Sequence, residues 1–354
     1  VKVKEATKAY EDFLRKNLPV IEADLERKHE QMSAALFPFL RSTFYRWSEL
    51  FRQTCPDLAT APLVLAVGDL HVENFGTWRD SEGRLIWGIN DFDEAQTMPY
   101  TIDLLRLATS ALLSAQEAKL AFAFEDVCTA IVSGYGEWLE KGGRPFVLEE
   151  EHGWLRVLAT GALRDPVAFA AKMDKLKETK PPQPVVDLLT EHLPKGSKIR
   201  RFAARVAGLG SLGRPRYVAL ADLDGGLVVR EAKATLPSAW TWSLGQPEAP
   251  LHCKTIVTQA VRCADPWLDF EKGWAIRRLA PHCSRVEMTE LPHRTDDLKL
   301  VKAMGRETAN IHLGSKDAIK AVSKDLAKRP AKWLFDAATA MAEATKNDWL
   351  AWRS

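Results

Sequence analysis

Residues 63–76 read LVLAVGDLHVENFG and residues 85–95 read LIWGINDFDEA. Each stretch opens as a short apolar run rich in branched residues and ends in a polar loop, the pattern of a buried strand that delivers a loop at the edge of a sheet. Gly68 closes the first run, and a polar turn at Asp80 to Gly83 precedes the second. The reading places two chemical loops at the ends of neighbouring strands. Asp69 opens the first loop, Asn74 follows within it, and Asp91 ends the second strand. An ionised carboxylate can take the proton of a reacting hydroxyl, while a carboxamide oxygen and a second carboxylate are hard ligands suited to Mg2+ or Mn2+. Asp69 is therefore the candidate base, Asn74 and Asp91 are candidate metal ligands, and Asp93 is an auxiliary one. The competing account makes Asp69 and Asn74 acceptors for backbone donors in a turn, and Asp91 with Asp93 a helix cap. Several hard ligands gathered at one end of a sheet favour a metal or phosphate site.

Outward from these loops, residues 5–55 read as mainly helical, with Pro19 near a helix start and Leu36, Phe37, Phe39 and Leu40 facing inward. After Pro99 a helix runs through Asp103, Leu104, Leu107 and Ala108, and a second follows to about residue 139. Asp103 opens an amphipathic helix and reads as a buried acceptor that steadies the first loop. A helical part near 165–190 is interrupted by KPPQP, and the turn Pro194-Lys195-Gly196 marks a lobe boundary. Strands at Arg216–Leu223 and Leu227–Lys233 flank an Asp-Gly-Gly hairpin signal. A helix around Lys254 to Cys263 and a strand at Trp274–Leu279 complete a small antiparallel unit. Val301, Met304, Thr308 and Ile311 form a mostly apolar helical stripe that returns to the lobe of the amino-terminal helices. The expected class is α+β, in three segments: 1–195, 196–295 and 296–354.

GLGSLG, Gly208 to Gly213, precedes the first hairpin strand. Gly208, Gly210, Ser211 and Gly213 permit a turn whose amides approach a phosphate without side-chain obstruction. A strand follows where a dinucleotide fingerprint would open a helix, and the terminal Lys-Ser or Lys-Thr of a P-loop is missing. A glycine-rich loop between antiparallel strands is the arrangement that covers ATP in kinases.

GDLHVENFG resembles the GDxHxxN catalytic loop of aminoglycoside and choline phosphotransferases, and INDFDEA resembles their metal-binding segment. The resemblance implies a protein-kinase-like two-lobed fold in which Asp69 is the catalytic base and Asn74 and Asp91 bind metal. More specifically, the chain resembles a bacterial family of uncharacterised proteins. The shared stretches are Phe39-Leu40-Arg41, Gly68 to Gly76, Asn90 to Glu94, a DLxRLxxS helix at Asp103 to Ser110, and the glycine loop with Arg216-Tyr217. The order of parts is permuted: the catalytic loop precedes the glycine-rich lobe, and TANIHLG at Thr308 to Gly314 looks like a displaced helix ending. A circularly permuted kinase-like fold accounts for all three placements. Related proteins tend to carry Lys-Glu-Ala where this chain has Arg230-Glu231-Ala232-Lys233. Arg230 matches by alignment and Lys233 is the alternate phosphate contact; strand alternation puts the two on opposite faces. No acidic partner for this cation is evident in the helix around Lys254 to Cys263. His71 either orients the loop or binds a phosphate, and Arg41 either serves the phosphate site or packs against the acidic cluster.

The bulk composition bounds the rest. The chain has 354 residues, 46% of them hydrophobic, enough for two domains or one two-lobed unit. Lys and Arg number 49 against 47 Asp and Glu, so no field of one sign recommends a nucleic acid or an anionic membrane as partner. The 5 cysteines contain no close pair, which predicts reduced thiols and a cytoplasmic location, and no run reaches the length of a membrane span. The expected cofactors are ATP and Mg2+ or Mn2+, and the partners are the nucleotide and an acceptor that the sequence does not identify; nor does it indicate an oligomeric state. Nucleotidyl transfer, a non-catalytic nucleotide-binding regulator and, more distantly, a metallophosphoesterase are the alternatives. The last lacks the upstream Asp-x-His and later Gly-Asn-His of a two-metal cage.

Overall fold

The computed structural model of the chain describes residues 2–117, 123–149, 152–161, 165–284 and 294–354. Four helices lead: α1 (Val3–Asn17), α2 (Glu22–Ala34), α3 (Leu36–Ser42) and α4 (Phe44–Thr54). Their apolar stripes are of the expected helical spacing; α1, for instance, buries Val3, Ala6, Tyr10, Phe13 and Leu14.

The two apolar runs that carry the loops are β1 (Leu63–Ala66) and β3 (Leu85–Ile89), and they are not paired with each other. Between them β2 (Phe75–Arg79) forms an antiparallel hairpin with β3, while β1 pairs with β4 (Gln96–Pro99). The expectation of neighbouring strands is corrected here, because β3 has β2 on one side and the strand Phe146–Val147 on the other while the chain returns through β4 to pair with β1. What joins the loops is instead one backbone hydrogen bond, the Asn90 N–H donating to the Asn74 carbonyl at 3.0 Å. The helices α5 (Thr101–Glu117) and α6 (Phe124–Lys141) follow, then β5 (Phe146–Val147), which adds to the edge of β3, and α7 (Gly153–Gly161).

A five-stranded antiparallel sheet forms the second unit. Its members are β6 (Lys198–Ala204), β7 (Arg216–Leu223), β8 (Gly226–Ala234), β9 (Asp269–Glu271) and β10 (Trp274–Leu279), in the order β6-β7-β8-β10-β9. Strand alternation divides its two faces. Val218, Leu220 and Val229 pack against Phe169 and Met173 of α8 (Pro166–Asp174). Ala219, Ala221 and Ala232 pack against Val185 and Leu189 of α9 (Gln183–Glu191). Both helices precede residue 195 yet cover this sheet. The short α10 (Ala239–Ser243) and α11 (Cys253–Gln259) sit between β8 and β9, and α10 packs on α4.

The chain then returns to the helical unit through α12 (Arg294–His312), α13 (Ile319–Leu326) and α14 (Trp333–Arg353). α12 lies along α6, and α14 packs on α4 and α5, closing a core that includes Tyr100, Leu104, Ile131, Val301, Met304 and Met341. Among the described residues, no helix is long and apolar enough to cross a membrane. The α6–α12 contact depends on two glycines: a Cβ on Gly134 would lie 2.2 Å from the Lys302 carbonyl oxygen, and one on Gly305 would lie 2.2 Å from that of Ile131. Both obstacles are helix backbone and cannot rotate aside. Gly305→Ala should therefore destabilise the fold by about 1–3 kcal/mol through overpacking; urea denaturation checks this, and an unchanged midpoint would refute the close approach.

Candidate active site

The loop after β1 is held from below by one face of α5. Asp103 accepts the backbone N–H groups of Val67 and Gly68 at 2.7 and 2.8 Å. One turn on, Arg106 donates to Asp69 Oδ1 from Nε at 3.0 Å and from Nη2 at 2.5 Å, and its Nη2 also reaches the Leu40 carbonyl. Ser110, a further turn along, accepts the Val72 N–H. These three side chains are fully buried. Asp103 thus does steady this loop, as its place at the head of an amphipathic helix predicts. Arg106 was not singled out by the sequence reading. Its signal was the spacing of Asp103, Arg106 and Ser110, polar residues on one stripe of an otherwise apolar helix.

Arg106 takes up Oδ1 of Asp69 and packs its guanidinium over the Phe44 and Trp47 rings. The other oxygen, Oδ2, lies 3.6 Å from where a Cβ on Gly210 would stand. Burial raises the Asp69 pKa, with Arg106 opposing. Farther along the loop, Asn74 closes a turn: its Oδ1 accepts the His71 N–H at 2.6 Å while His71 Nδ1 accepts the Glu73 N–H. His71 therefore orients the loop. Arg41 pairs with Glu73 at 2.8 Å.

The second loop brings Asp91 and Asp93 onto one cation. Lys233 Nζ is 3.2 Å from Asp91 Oδ1 and also contacts Asp93 Oδ2. Burial opposes ionisation of Asp91, but Lys233, Arg277 and Arg216 together hold its carboxyl well below the usual range. Glu94 is buried against Arg214, Ser238 and the Ala239 N–H. Burial pushes its pKa up to about 7.

The glycine loop lies between β6 and β7, and Gly208, Leu209, Gly210 and Ser211 line the same cavity as Asp69, Asn74, Asp91 and Asp93. The cavity holds about 560 Å³. Gly210 makes the close approach, with a Cβ there only 2.9 Å from the Arg41 carbonyl. Gly213 turns away: its carbonyl accepts the Ile21 N–H and it packs against Leu25.

Arg230 is on the opposite face of the sheet from this cavity. It stacks on Trp267 at 4.1 Å and donates to the His192 carbonyl at the end of α9. Register explains the divergence: Lys233 is paired with Arg216 and Glu231 with Val218, so Lys233, Glu231 and Arg216 share the face that Arg230 does not. The alternate candidate, Lys233, is the one that meets the acidic loop. Neither α10 nor α11 offers the lysine a carboxylate, since they read AWTWS and CKTIVTQ.

Glu231 is the group that sequence reasoning passed over. Wholly buried, it accepts from Arg216 Nη1 at 2.9 Å, from Arg277 Nε at 2.8 Å and from Arg205 Nη1. All three arginines line the cavity, and Arg216 Nη2 also donates to Ser211 Oγ at 2.8 Å. Three guanidinium charges on one carboxylate leave a positive surplus directly beneath the glycine loop, fixed in place before any ligand arrives. The lone hint in sequence was the placing of Arg216, Glu231 and Arg277 on strand positions facing one way, with Arg205 just beyond β6.

The donor set suits magnesium in one specific manner. Among the described residues there is no group of three or more His, Cys, Asp and Glu placed to hold a metal. Asp91 and Asp93 nevertheless converge on one cation, and Asn74 Oδ1 retains a second lone pair after accepting from His71. Magnesium is commonly held by one or two carboxylates and completed by substrate phosphates and water, so these oxygens fit a metal that arrives with a phosphate-bearing ligand.

Fold and cavity together define a two-unit α+β chain with antiparallel sheets and a charged cleft between helical and sheet units. The chain belongs to a family of uncharacterised proteins conserved in bacteria, DUF2252, which it matches over residues 20–157 and 186–354. Comparison with curated proteins and with solved structures finds no match.

Glu231→Gln should cost about 3–5 kcal/mol near neutral pH, because it leaves the buried Arg216 and the half-buried Arg205 and Arg277 without their counter-charge. The folded-state pKa of Glu231 lies well below 4.5, so its contribution is complete above that pH and is lost as pH falls below it. The stability gap between wild type and E231Q should accordingly narrow on acidification below pH 4.5, measured by chemical denaturation across pH; a gap independent of pH would contradict the assignment.

Proposed function

We propose that the protein is a metal-dependent, kinase-like phosphotransferase that uses ATP or a related nucleotide, built on a kinase-like fold in circularly permuted order. The observation that carries this reading is the single cavity that joins Asp69, Asn74 and Asp91 to the Gly208–Ser211 loop from a distant part of the chain. Each half alone is incomplete. The acidic half has oxygen ligands and no loop to cover phosphates, while the glycine half has a fixed positive surplus and no metal ligand. In kinases a glycine-rich loop covers the phosphates, a lysine on the third strand pairs with them, and an asparagine and an aspartate hold magnesium. Lys233 on β8, third in the strand order from β6, supports the same division of labour.

The roles follow from position. Asp69 takes the acceptor hydroxyl's proton on Oδ2, since Arg106 occupies Oδ1 and fixes the carboxylate's direction. Burial raises its pKa, which makes it a stronger base than a solvated carboxylate. Arg205, Arg216 and Arg277 receive the nucleotide's phosphate charge, and the amides of Gly208 to Gly210 close over it. Asn74, Asp91 and Asp93 would hold magnesium, which would supply positive charge to offset that of the phosphates.

One observation favours a second reading, a nucleotide-binding regulator without turnover: Lys233 already occupies both carboxylates of the metal set. Nucleotidyl transfer by the same cavity is a further variant, separated by product mass. The test is calorimetric titration with MgATP followed by turnover assays across acceptor classes. MgATP should bind, phosphate rather than nucleotide should be added to product, and Asp69→Asn should lower turnover by about 10²–10⁴-fold with nucleotide affinity retained. Binding without turnover would move the assignment to the regulator, and no MgATP binding at all would overturn it.

A further inference from the structure

Lys28 of α2 is a buried ammonium, 3% exposed, in the wall of the cavity. Its one hydrogen bond goes to the Gly210 carbonyl at 3.3 Å, and among the described residues no carboxylate lies within ion-pair distance of it. An ammonium has three N–H groups to satisfy, and a lysine is almost never buried without a partner. Its surroundings make the omission costly. The Tyr45 ring is 5.9 Å away, Arg214 repels it, and the carboxylates of Glu11, Asp69 and Glu94 act only from farther off. Glu11 is engaged by His29, Glu94 by Arg214, and Asp69 by Arg106. A buried cation left uncompensated on a cavity wall is what an anion site looks like before its ligand is present.

The place of this cation says which anion. The three arginines on Glu231 serve the end of the cavity under Ser211 and Gly208, whereas Lys28 is tied to Gly210, the residue that faces Asp69 Oδ2 and the Arg41 carbonyl. We propose that the Asp69 end of the cavity holds a second anion subsite centred on Lys28, and that it takes a negatively charged group of the acceptor itself. The acceptor is then a hydroxyl-bearing oxyanion, such as a phosphate ester or a hydroxy acid. This rests on the phosphotransfer reading and separates the chain from the enzymes that its loops resemble, because an aminoglycoside or a choline would bring positive charge beside Lys28, Arg41 and Arg214.

The experiment uses the full chain with Mg2+ and a saturating non-hydrolysable ATP analogue, so that the nucleotide's phosphate positions are filled. Inorganic phosphate is then titrated, followed by thermal melting and calorimetry. Phosphate should still bind and raise Tm. Lys28→Met should weaken that binding by roughly tenfold or more while leaving the affinity for the analogue nearly unchanged. Lys28→Arg should retain it. Without phosphate, Lys28→Met should melt no lower than wild type, because a lysine kept only for its bond to Gly210 would lower Tm when removed and an uncompensated charge would not. Burial and Arg214 bring the Lys28 pKa down to about 8, so the phosphate effect should fade as pH rises through that value. Analogue binding with no response to phosphate, or equal phosphate binding by wild type and Lys28→Met, overturns the subsite alone. Phosphorylation of choline or an aminoglycoside in preference to anionic acceptors overturns the acceptor assignment. Failure of the analogue to bind defeats the phosphotransfer reading first and is visible before phosphate is added.

Discussion

A loop that must present a carboxylate to a cavity cannot be left to find its own conformation, and here one stripe of α5 prevents it from doing so. Asp103, Arg106 and Ser110 reach the loop at Val67 and Gly68, at Asp69, and at Val72 in turn. Each of these contacts satisfies a buried polar group that would otherwise cost roughly 1–3 kcal/mol, more where charge is involved. The arrangement is mutually dependent. Arg106 has no counter-charge without Asp69, and Asp69 has no fixed direction without Arg106.

The far end of the chain completes that support. His312, the last residue of α12, is buried with its Nε2 3.0 Å from Asp103 Oδ2 and its Nδ1 2.8 Å from the Tyr135 hydroxyl. Five residues earlier, Glu307 accepts the Ile89 N–H at the head of the second loop, and Asn310 steadies Glu307. A single helix therefore braces both chemical loops, one through Asp103 and one through β3. The return of residues 294–312 to the helical unit, alongside α6, is thus part of the site's construction, and the glycine pair at the α6–α12 crossing lets the helix come close enough.

How much of this was legible in sequence depended on how local the determining physics was. Asp69, Asn74 and Asp91 stood out because short apolar runs deliver polar loops, and the hairpin at Asp224 to Gly226 declared itself by its turn residues. The strands β2 and β4 did not. Phe75–Arg79 carries a glycine where a packed side chain would mark a strand, and Gln96–Pro99 ends in proline, so both are held by pairing partners rather than by composition. The choice between Arg230 and Lys233 turned on register, a long-range property that alignment to a motif does not contain. Lys28 was invisible for a related reason: within EADLERKHEQ it reads as one more charge on a solvated helix, and only tertiary packing of α2 beside the glycine loop buries it.

The same sheet face accounts for both the stability of the second unit and its chemistry. Toward one end it is apolar, with Ala203, Val218, Leu220, Val229 and Leu279 closed off by α8; toward the other, Arg216, Glu231, Lys233 and Arg277 occupy the same alternation and look onto the cavity. The apolar half gains from burial in the ordinary way. The charged half gains only if its cations are matched, and Glu231 matches three arginines with one charge while Asp91 and Asp93 together answer Lys233. Taken together, four cations face three carboxylates, so the face keeps a net positive charge beside the glycine loop, which the proposed phosphate-bearing ligand would offset. The stability of this charged end and the phosphate affinity proposed for it then draw on one charge imbalance.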